Sequence, residues 1–281
     1  MLVPSAGLSA QTLSRIETFL YSRIRKIQAY FCPLFREIPL LKNFWIPTVL
    51  LVLAAGLTVM YQYAQEPPAV HKPLSIGHRG SDLGVENTLE AVKGAIDSGA
   101  DFAEVDIQLT KDQVPTLEEL LRLTKGKIRL LIELKAVSGK EREVLVDQIL
   151  ALIEKYDFEK DCILMSLDFD LIHLVRQKNP ALKTGCCMFG NLGETTVEDL
   201  LSLDCDFVVI EENMVSNSFI SACRQAWLPV YVWTVDMEEN MRKYLDMGVN
   251  GLISDKPYLV KEVLKDYSFQ GIPAGEDYYY S

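Results

Sequence analysis

From Leu74 onward, short apolar runs alternate with longer stretches in which apolar residues recur at helical spacing. Runs of the first kind predict eight strands, at 74–79, 102–109, 129–134, 162–167, 184–189, 206–211, 229–235 and 251–254. Stretches of the second kind predict helices at 88–98, 116–125, 139–155, 168–178, 196–202, 217–226 and 238–246. This alternation is typical of a (β/α)8 TIM barrel, which is an α/β fold. A doubly wound sheet is the competing fold, but no G-x-G-x-x-G pattern follows the first predicted strand.

A second pattern precedes the barrel. Residues 44–63 form an apolar run without a charged side chain, long enough to cross a bilayer, and aromatic residues lie at both ends. We therefore expect a transmembrane helix there. The alternatives are a buried helix, which would normally have a polar face, and a cleaved signal peptide, for which the 43 preceding residues are too many.

Charge around this run predicts its orientation. The residues just after the apolar run include few basic side chains. The residues before it include six, which are Arg15, Arg23, Arg25, Lys26, Arg36 and Lys42. The positive-inside rule then predicts a single-pass protein of the cell membrane, with its N-terminus in the cytoplasm and its barrel on the extracytoplasmic side. Residues 14–31 have the pattern of an interfacial helix, although part of another membrane-spanning helix is an alternative.

These patterns together predict five segments. Residues 1–43 form a cytoplasmic or interfacial segment, 44–63 the transmembrane helix and 64–73 a proline-containing linker. The barrel occupies 74–265, and 266–281 form an exposed C-terminal tail.

Strand parity predicts where the charged side chains of the barrel converge. Glu104 and Asp106 share one face of the second predicted strand, and Glu133 and Lys135 share one face of the third, each opposite an aliphatic face. The aliphatic faces would meet the helices, so the polar faces would point into the barrel at the C-terminal ends of the strands. Trp233 on the seventh strand is predicted to point inward in the same way.

Glu104, Asp106 and Glu133 would repel one another at such a site and would raise one another's pKa. A hard divalent cation with oxygen ligands removes this conflict, and Mg²⁺ or Ca²⁺ suits a set of carboxylates. The alternative is that the three carboxylates form structural ion pairs with Arg79 and Lys135.

The remaining polar residues at these strand ends suit phosphoester chemistry. Arg79 offers a bidentate fork for a phosphate group, and Lys135 offers a single positive charge. His78 is the natural general acid or base. The sequence therefore predicts a metal-dependent phosphodiesterase.

Composition narrows the other possibilities. The net charge of −11 over 281 residues argues against nonspecific binding of nucleic acid. The six cysteines, which lack the spacing of a zinc site, are Cys32, Cys162, Cys186, Cys187, Cys205 and Cys223. We expect them to be small buried apolar residues.

The ordered motifs from Leu74 to Pro257 resemble those of glycerophosphodiester phosphodiesterases. They are Ile76-Gly77-His78-Arg79-Gly80, Val85-Glu86-Asn87-Thr88, Glu104-Val105-Asp106, Pro115-Thr116-Leu117-Glu118-Glu119, Ile132-Glu133-Leu134-Lys135, Val232-Trp233-Thr234-Val235 and Gly251-Leu252-Ile253-Ser254-Asp255-Lys256-Pro257. The variant around Gly84 to Thr88 is similar to the membrane-attached bacterial branch of the family.

The resemblance implies a TIM barrel that hydrolyses glycerophosphodiesters to glycerol 3-phosphate and an alcohol. It implies that His78 is a catalytic acid or base and that Arg79 binds phosphate. Lys135 would also contact phosphate, and Trp233 would line the glycerol pocket. The metal ligands would be Glu104, Asp106 and Glu133, and Glu86 would order the first loop.

The chain departs from this family at one place. The family's pattern continues after the second strand into a His-Asp motif, whose histidine is the second acid or base. Here Lys111-Asp112-Gln113-Val114-Pro115 leads directly to the next helix. The other histidines of the chain are His71 in the linker and His173 in a helix predicted on the barrel exterior. We expect the barrel to fold without the missing segment, because it belongs to a loop, and we expect reduced activity.

Three interpretations remain open. The first is the phosphodiesterase, with activity reduced by the loss of one histidine. The second is a catalytically silent, membrane-anchored barrel that binds glycerophosphodiesters or lipid headgroups. The third is a TIM-barrel phospholipase of a related type, which would need apolar loops at the mouth of the site; the short loops predict few.

Overall fold

A computed structural model describes residues 72–109, 115–190, 197–203 and 205–267. Eight parallel strands form a closed barrel in which each strand pairs with its neighbours in sequence and β1 pairs with β8. The strands are β1 Leu74–Gly77, β2 Phe102–Ile107, β3 Arg129–Leu134, β4 Cys162–Ser166, β5 Thr184–Met188, β6 Phe207–Glu211, β7 Val230–Trp233 and β8 Gly251–Ser254. The predicted TIM barrel is confirmed, and each strand ends within two residues of its predicted boundary.

A helix follows every strand. The helices are α1 Leu89–Asp97, α2 Leu117–Thr124, α3 Glu141–Lys155, α4 Phe169–Lys178, α5 Val197–Ser202, α6 Asn217–Gln225, α7 Glu238–Met247 and α8 Pro257–Asp266. The first seven match their predictions. The last was not predicted as a helix, although Pro257 is well suited to the first turn.

The barrel has two apolar layers, as the strand parity predicts. Inward-facing side chains fill its axis: Ile76, Phe102, Leu131, Ile163, Met165, Cys187, Phe207, Val209, Tyr231 and Ile253. Alternate residues of the same strands, such as Val105, Ile132 and Val232, pack instead against the surrounding helices. Burial on both faces explains why these strands read as short apolar runs.

The predicted transmembrane helix belongs to a part of the chain that the structure does not describe. The predicted span at 44–63 lies outside the described residues, as do the segment 1–43, most of the linker and most of the C-terminal tail. Among the residues that the structure describes, none of the helices has the length and hydropathy needed to cross a bilayer.

The cysteine prediction is confirmed for the described part of the chain. Its five cysteines, which exclude Cys32, are buried and free. Burial raises the pKa of the Cys162 thiol to about 12, because a thiolate loses its hydration in the core.

Candidate active site

The predicted carboxylates meet at the C-terminal ends of β2 and β3. One oxygen from each of Glu104, Asp106 and Glu133 lies within 4.8 Å of the others. In the register of the sheet, Asp106 is directly opposite Glu133, which places both at one edge of the barrel. Glu104 is only 1% exposed. The three side chains therefore form a carboxylate cluster at the bottom of the site.

Lys135 lies above this cluster and bridges two of its members. Its ammonium Nζ lies 2.7 Å from Asp106 Oδ1 and 2.7 Å from Glu133 Oε1. The ion pairs proposed as the alternative to a metal site are thus present for two of the carboxylates. They do not extend to all three, because Glu104 Oε1 is buried without a hydrogen-bond partner among the described residues.

Residues of the loop between β1 and α1 form hydrogen bonds with two of the carboxylates, Glu104 and Asp106. The backbone N–H of Arg79 donates to Glu104 Oε2 at 2.7 Å. The side chain of Asn87 donates to Asp106 Oδ2 and accepts from the Asp106 backbone N–H, both at 2.9 Å. Arg79 and Asn87 both have positive φ, which brings these groups toward the cluster.

Two glycines allow this loop to turn tightly at the end of β1. A Cβ placed on Gly77 would lie 1.9 Å from the carbonyl oxygen of Gly80, and Gly80 itself has a φ of 95°. The pattern Gly77-His78-Arg79-Gly80 thus has a steric basis. It puts the histidine and the arginine directly above the strand end.

Arg79 carries the positive charge of this loop. Its Nη1 donates to Glu86 Oε2 at 2.7 Å. Its Nε is 3.1 Å from Asp106 Oδ2, which is an ion-pair distance. That nitrogen still lacks a well-aligned hydrogen bond to any described residue, so the contact is electrostatic. Glu86 thus pairs with Arg79 within the first loop, and its role in ordering that loop stays a prediction.

The electrostatics of the cluster differ from one carboxylate to the next. Burial and the nearby Asp106 charge raise the pKa of Glu104 well above its ordinary value. Burial also raises the pKa of Glu133. For Asp106, burial acts upward but is outweighed by hydrogen bonds from Lys135 and Asn87, so its pKa is lowered. The buried end of the cluster therefore has more negative charge than its surroundings stabilise.

His78 lies beside the cluster, at the junction of β1 and β8. Its Nδ1 is 2.7 Å from Asp255 Oδ1, and its backbone N–H donates to the Ser254 carbonyl. The ring of Trp233 lies 6.3 Å from the His78 ring. The backbone N–H of Asp255 in turn donates to Asp236 Oδ1 at 2.9 Å, which steadies the partner of the histidine.

The structure thus brings together all seven residues predicted for the site. They are His78, Arg79, Glu104, Asp106, Glu133, Lys135 and Trp233. Two residues that contact them were not predicted. Asn87 belongs to a motif that was recognised, and asparagine is a residue type that tolerates the positive φ it adopts there. Asp255 follows β8 in another such motif, and its inward parity could have marked it.

The other described histidine, His173, lies away from the site. His173 lies in α4 and contacts Gln177 on the exterior of the barrel, as predicted. His71 lies outside the described residues, and so do residues 110–114, where the sequence motifs predict a departure from the family's pattern.

Comparison with known proteins agrees with this geometry. The model of the glycerophosphoryl diester phosphodiesterase family matches residues 78–117 and 113–259, together more than half of the chain. The chain belongs to this family. Its recognition from the sequence motifs is confirmed, and so is its assignment to a family of enzymes.

Individual relatives match across most of their length. A glycerophosphodiester phosphodiesterase of Caldanaerobacter subterraneus subsp. tengcongensis is 27% identical over 66% of this chain and 95% of that protein. The crystal structure of a glycerophosphodiester phosphodiesterase from Parabacteroides distasonis superposes with a TM-score of 0.63 at 20% identity, over 69% of this chain and 97% of that one. An Oleispira antarctica phosphodiesterase in complex with the product sn-glycerol-3-phosphate has the same TM-score at 19% identity, over 69% and 97%.

Proposed function

We propose that the protein hydrolyses glycerophosphodiesters to glycerol 3-phosphate and an alcohol, that it requires a divalent cation, and that its turnover is low. Family membership and the relative that holds glycerol 3-phosphate support the reaction. The cation and the low turnover are supported by features of this chain.

The main support for a bound cation is that Glu104 Oε1 has no hydrogen-bond partner among the described residues. A buried carboxylate oxygen without a hydrogen bond is costly, and here two further carboxylates lie within 4.8 Å. The lysine and arginine of the site are already shared among the other oxygens. An all-oxygen donor set of this kind fits Mg²⁺ or Ca²⁺. When bound, the ion would polarise a phosphoryl oxygen and stabilise negative charge in the transition state.

The side chains of the site divide the remaining work. Arg79 and Lys135 would hold the phosphate oxygens, and Trp233 would contact the glycerol moiety. Asp255 holds the Nδ1 side of His78, which leaves Nε2 as the nitrogen that exchanges a proton with the substrate. The same ring would accept a proton from the nucleophile and return it to the departing alkoxide.

Low turnover follows from the use of a single histidine for both proton transfers. General acid–base catalysis by one positioned group contributes about 10²–10⁴-fold to a rate. In the sequence, no histidine occurs between His78 and His173. The catalytically silent binding barrel is the second candidate function, and it is favoured because His78 is the one histidine at the site among the described residues.

The experiment is release of glycerol 3-phosphate from glycerophosphocholine by the full-length protein, with Mg²⁺, with Ca²⁺ and with chelator. We expect slow, metal-dependent release that disappears in His78→Ala. His173→Ala is the matched control, because that histidine lies on the exterior, and it should behave as the wild type. Turnover equal to that of a relative with two histidines would contradict the single-histidine mechanism. Metal binding without any release would support the silent barrel.

We also propose that residues 44–63 anchor the barrel to the cell membrane, on the extracytoplasmic side. The uncharged run and the basic residues before it support this. The full chain should remain in the membrane pellet after alkaline carbonate extraction, and protease added outside intact cells should cleave the barrel domain. Release of the full chain into the supernatant would contradict the anchor.

A further inference from the structure

The inward-facing side chains at the strand ends divide the mouth of the barrel into two chemically different parts. The part formed by β8, β1, β2 and β3 is polar, since it contains Asp255, His78, Asp106 and Lys135. The part formed by β4 and β5, together with β7, is apolar. Leu167 follows the inward-facing Met165 by two residues, and Phe189 follows the inward-facing Cys187 by two. Leu167, Phe189 and Trp233 are called the apolar half of the mouth below.

Two members of the apolar half are exposed, and Phe189 is linked to the site through the ring of Trp233. The Phe189 ring lies 6.3 Å from the Trp233 ring, which is itself 6.3 Å from His78. Phe189 is 65% exposed and Leu167 is 46% exposed. Exposing large apolar side chains costs free energy, so a cluster at the mouth of a site indicates an apolar ligand group.

Other exposed apolar residues lie on the same face of the barrel. In the described part of the chain, four more large apolar side chains are exposed in connections that follow strand ends: Leu83, Val85, Leu109 and Met237. The sequence predicted little apolar surface here because the loops are short. That expectation was wrong, since the apolar residues come from the strand ends as well as from the loops.

We propose that the preferred substrate is a glycerophosphodiester carrying one aliphatic chain, which lies across Leu167 and Phe189 while the phosphate lies at the carboxylate cluster. The inference rests on the proposed function and narrows its substrate class. A deacylated substrate would leave Phe189 in water. An aliphatic chain would cover it, while the phosphate group lies at the polar site on the opposite side of the mouth.

Among the described residues between Phe189 and Trp233, Glu211 at the end of β6 is the carboxylate with inward parity. Its Oε2 accepts the backbone N–H of Gly190 at 3.1 Å. This bond turns the carboxylate toward the loop that follows Phe189. The apolar path proposed for the chain therefore runs along Leu167 and Phe189, and β6 contributes a polar side chain between Phe189 and Trp233.

The test compares the affinity of glycerophosphocholine with that of 1-octanoyl-glycerophosphocholine, by calorimetry on full-length His78→Ala protein with Mg²⁺. This variant separates binding from turnover, and the octanoyl compound is kept below its critical micelle concentration. Each buried methylene contributes about fourfold to affinity, since it is worth about 0.8 kcal/mol. Two to three buried methylenes predict that the octanoyl compound binds roughly 15- to 60-fold more tightly.

Further substitutions test whether the gain in affinity comes from contacts of the octanoyl chain with Leu167 and Phe189. With Leu167→Ser and Phe189→Ser in the same background, the gain should fall below about fivefold. Trp227→Ser removes an exposed aromatic that lies between α6 and β7, away from the strand ends that form the mouth, and should leave the gain intact. Equal affinities for the two compounds, or a gain that survives the double substitution, would overturn the inference. Failure of the proposed function is measured separately in the wild type, which would then release no choline from either compound in the presence of Mg²⁺.

Discussion

Replacing Glu104 by glutamine tests whether the carboxylate cluster is built for a cation. The substitution preserves the shape of the side chain and keeps an acceptor for the Arg79 backbone N–H, which now bonds Glu104 Oε2. It removes one negative charge from three that lie within 4.8 Å. It also places an amide donor where Oε1 has no partner.

The magnitude follows from the geometry. Two unit charges 4.8 Å apart repel by about 3 kcal/mol at an effective dielectric constant of about 20. Lys135 and Arg79 offset part of this, so without metal the variant should be about 1–3 kcal/mol more stable than the wild type. With the metal at about 100 times its Kd, the wild type should gain about 2.7 kcal/mol, and the variant much less.

Thermal unfolding, followed by circular dichroism with chelator and with Mg²⁺, measures both effects. At about 2–4 °C per kcal/mol, the wild type should rise by about 5–10 °C with metal. In chelator the Tm of Glu104→Gln should exceed that of the wild type. Glu211→Gln, a carboxylate at the mouth but outside the cluster, is the matched control and should respond to metal as the wild type does. A variant destabilised in chelator, beside a wild type that ignores metal, would refute the reasoning.

Three further predictions concern single side chains. Asp255→Asn should lower kcat about 10- to 100-fold with KM nearly unchanged, because Asp255 orients His78 without touching phosphate; steady-state kinetics check this, and an unchanged kcat would contradict it. With its pKa at about 12, the Cys162 thiol should resist iodoacetamide at pH 8 in the folded protein and react in urea, as mass spectrometry of its peptide would show. The hydrogen bond from Lys155 lowers the pKa of Glu118 from 4.5 to about 2, so its contribution to stability is present above pH 4.5 and lost as pH falls toward 2. Urea midpoints of Glu118→Gln should therefore change less over that window than those of the wild type.

The fold was predictable because each strand of this barrel is buried on both faces and each helix has one apolar face. Both patterns are local, and they identified all eight strands. Helix α8 was missed because Lys256-Pro257 was taken as the end of the last motif, whereas the proline occupies the first turn. The segments before the barrel were assigned from the sequence alone and stay predictions.

The site was predictable to the extent that strand parity decides which side chains converge. Parity placed Glu104, Asp106 and Glu133 correctly. It could not show which oxygens would be left without partners, because that depends on how the loop after β1 folds back over them. Asn87 escaped prediction for the same reason, since its partner Asp106 is distant in sequence, whereas the inward parity of Asp255 was a signal that was not used.

The three carboxylates differ in how rigidly their hydrogen bonds hold them. This difference would affect which ion the site selects. Glu104 is held by a backbone N–H and Asp106 by both ends of the Asn87 amide. Within the described residues, Glu133 is held by the flexible ammonium of Lys135. Two carboxylates are thus held rigidly and one is adjustable, so in the proposed metal site adaptation to ionic radius would fall on Glu133. Mg²⁺ requires nearly fixed octahedral distances, whereas Ca²⁺ tolerates longer and irregular ones. The freedom of a single side chain on β3 would therefore set the preference between the two ions.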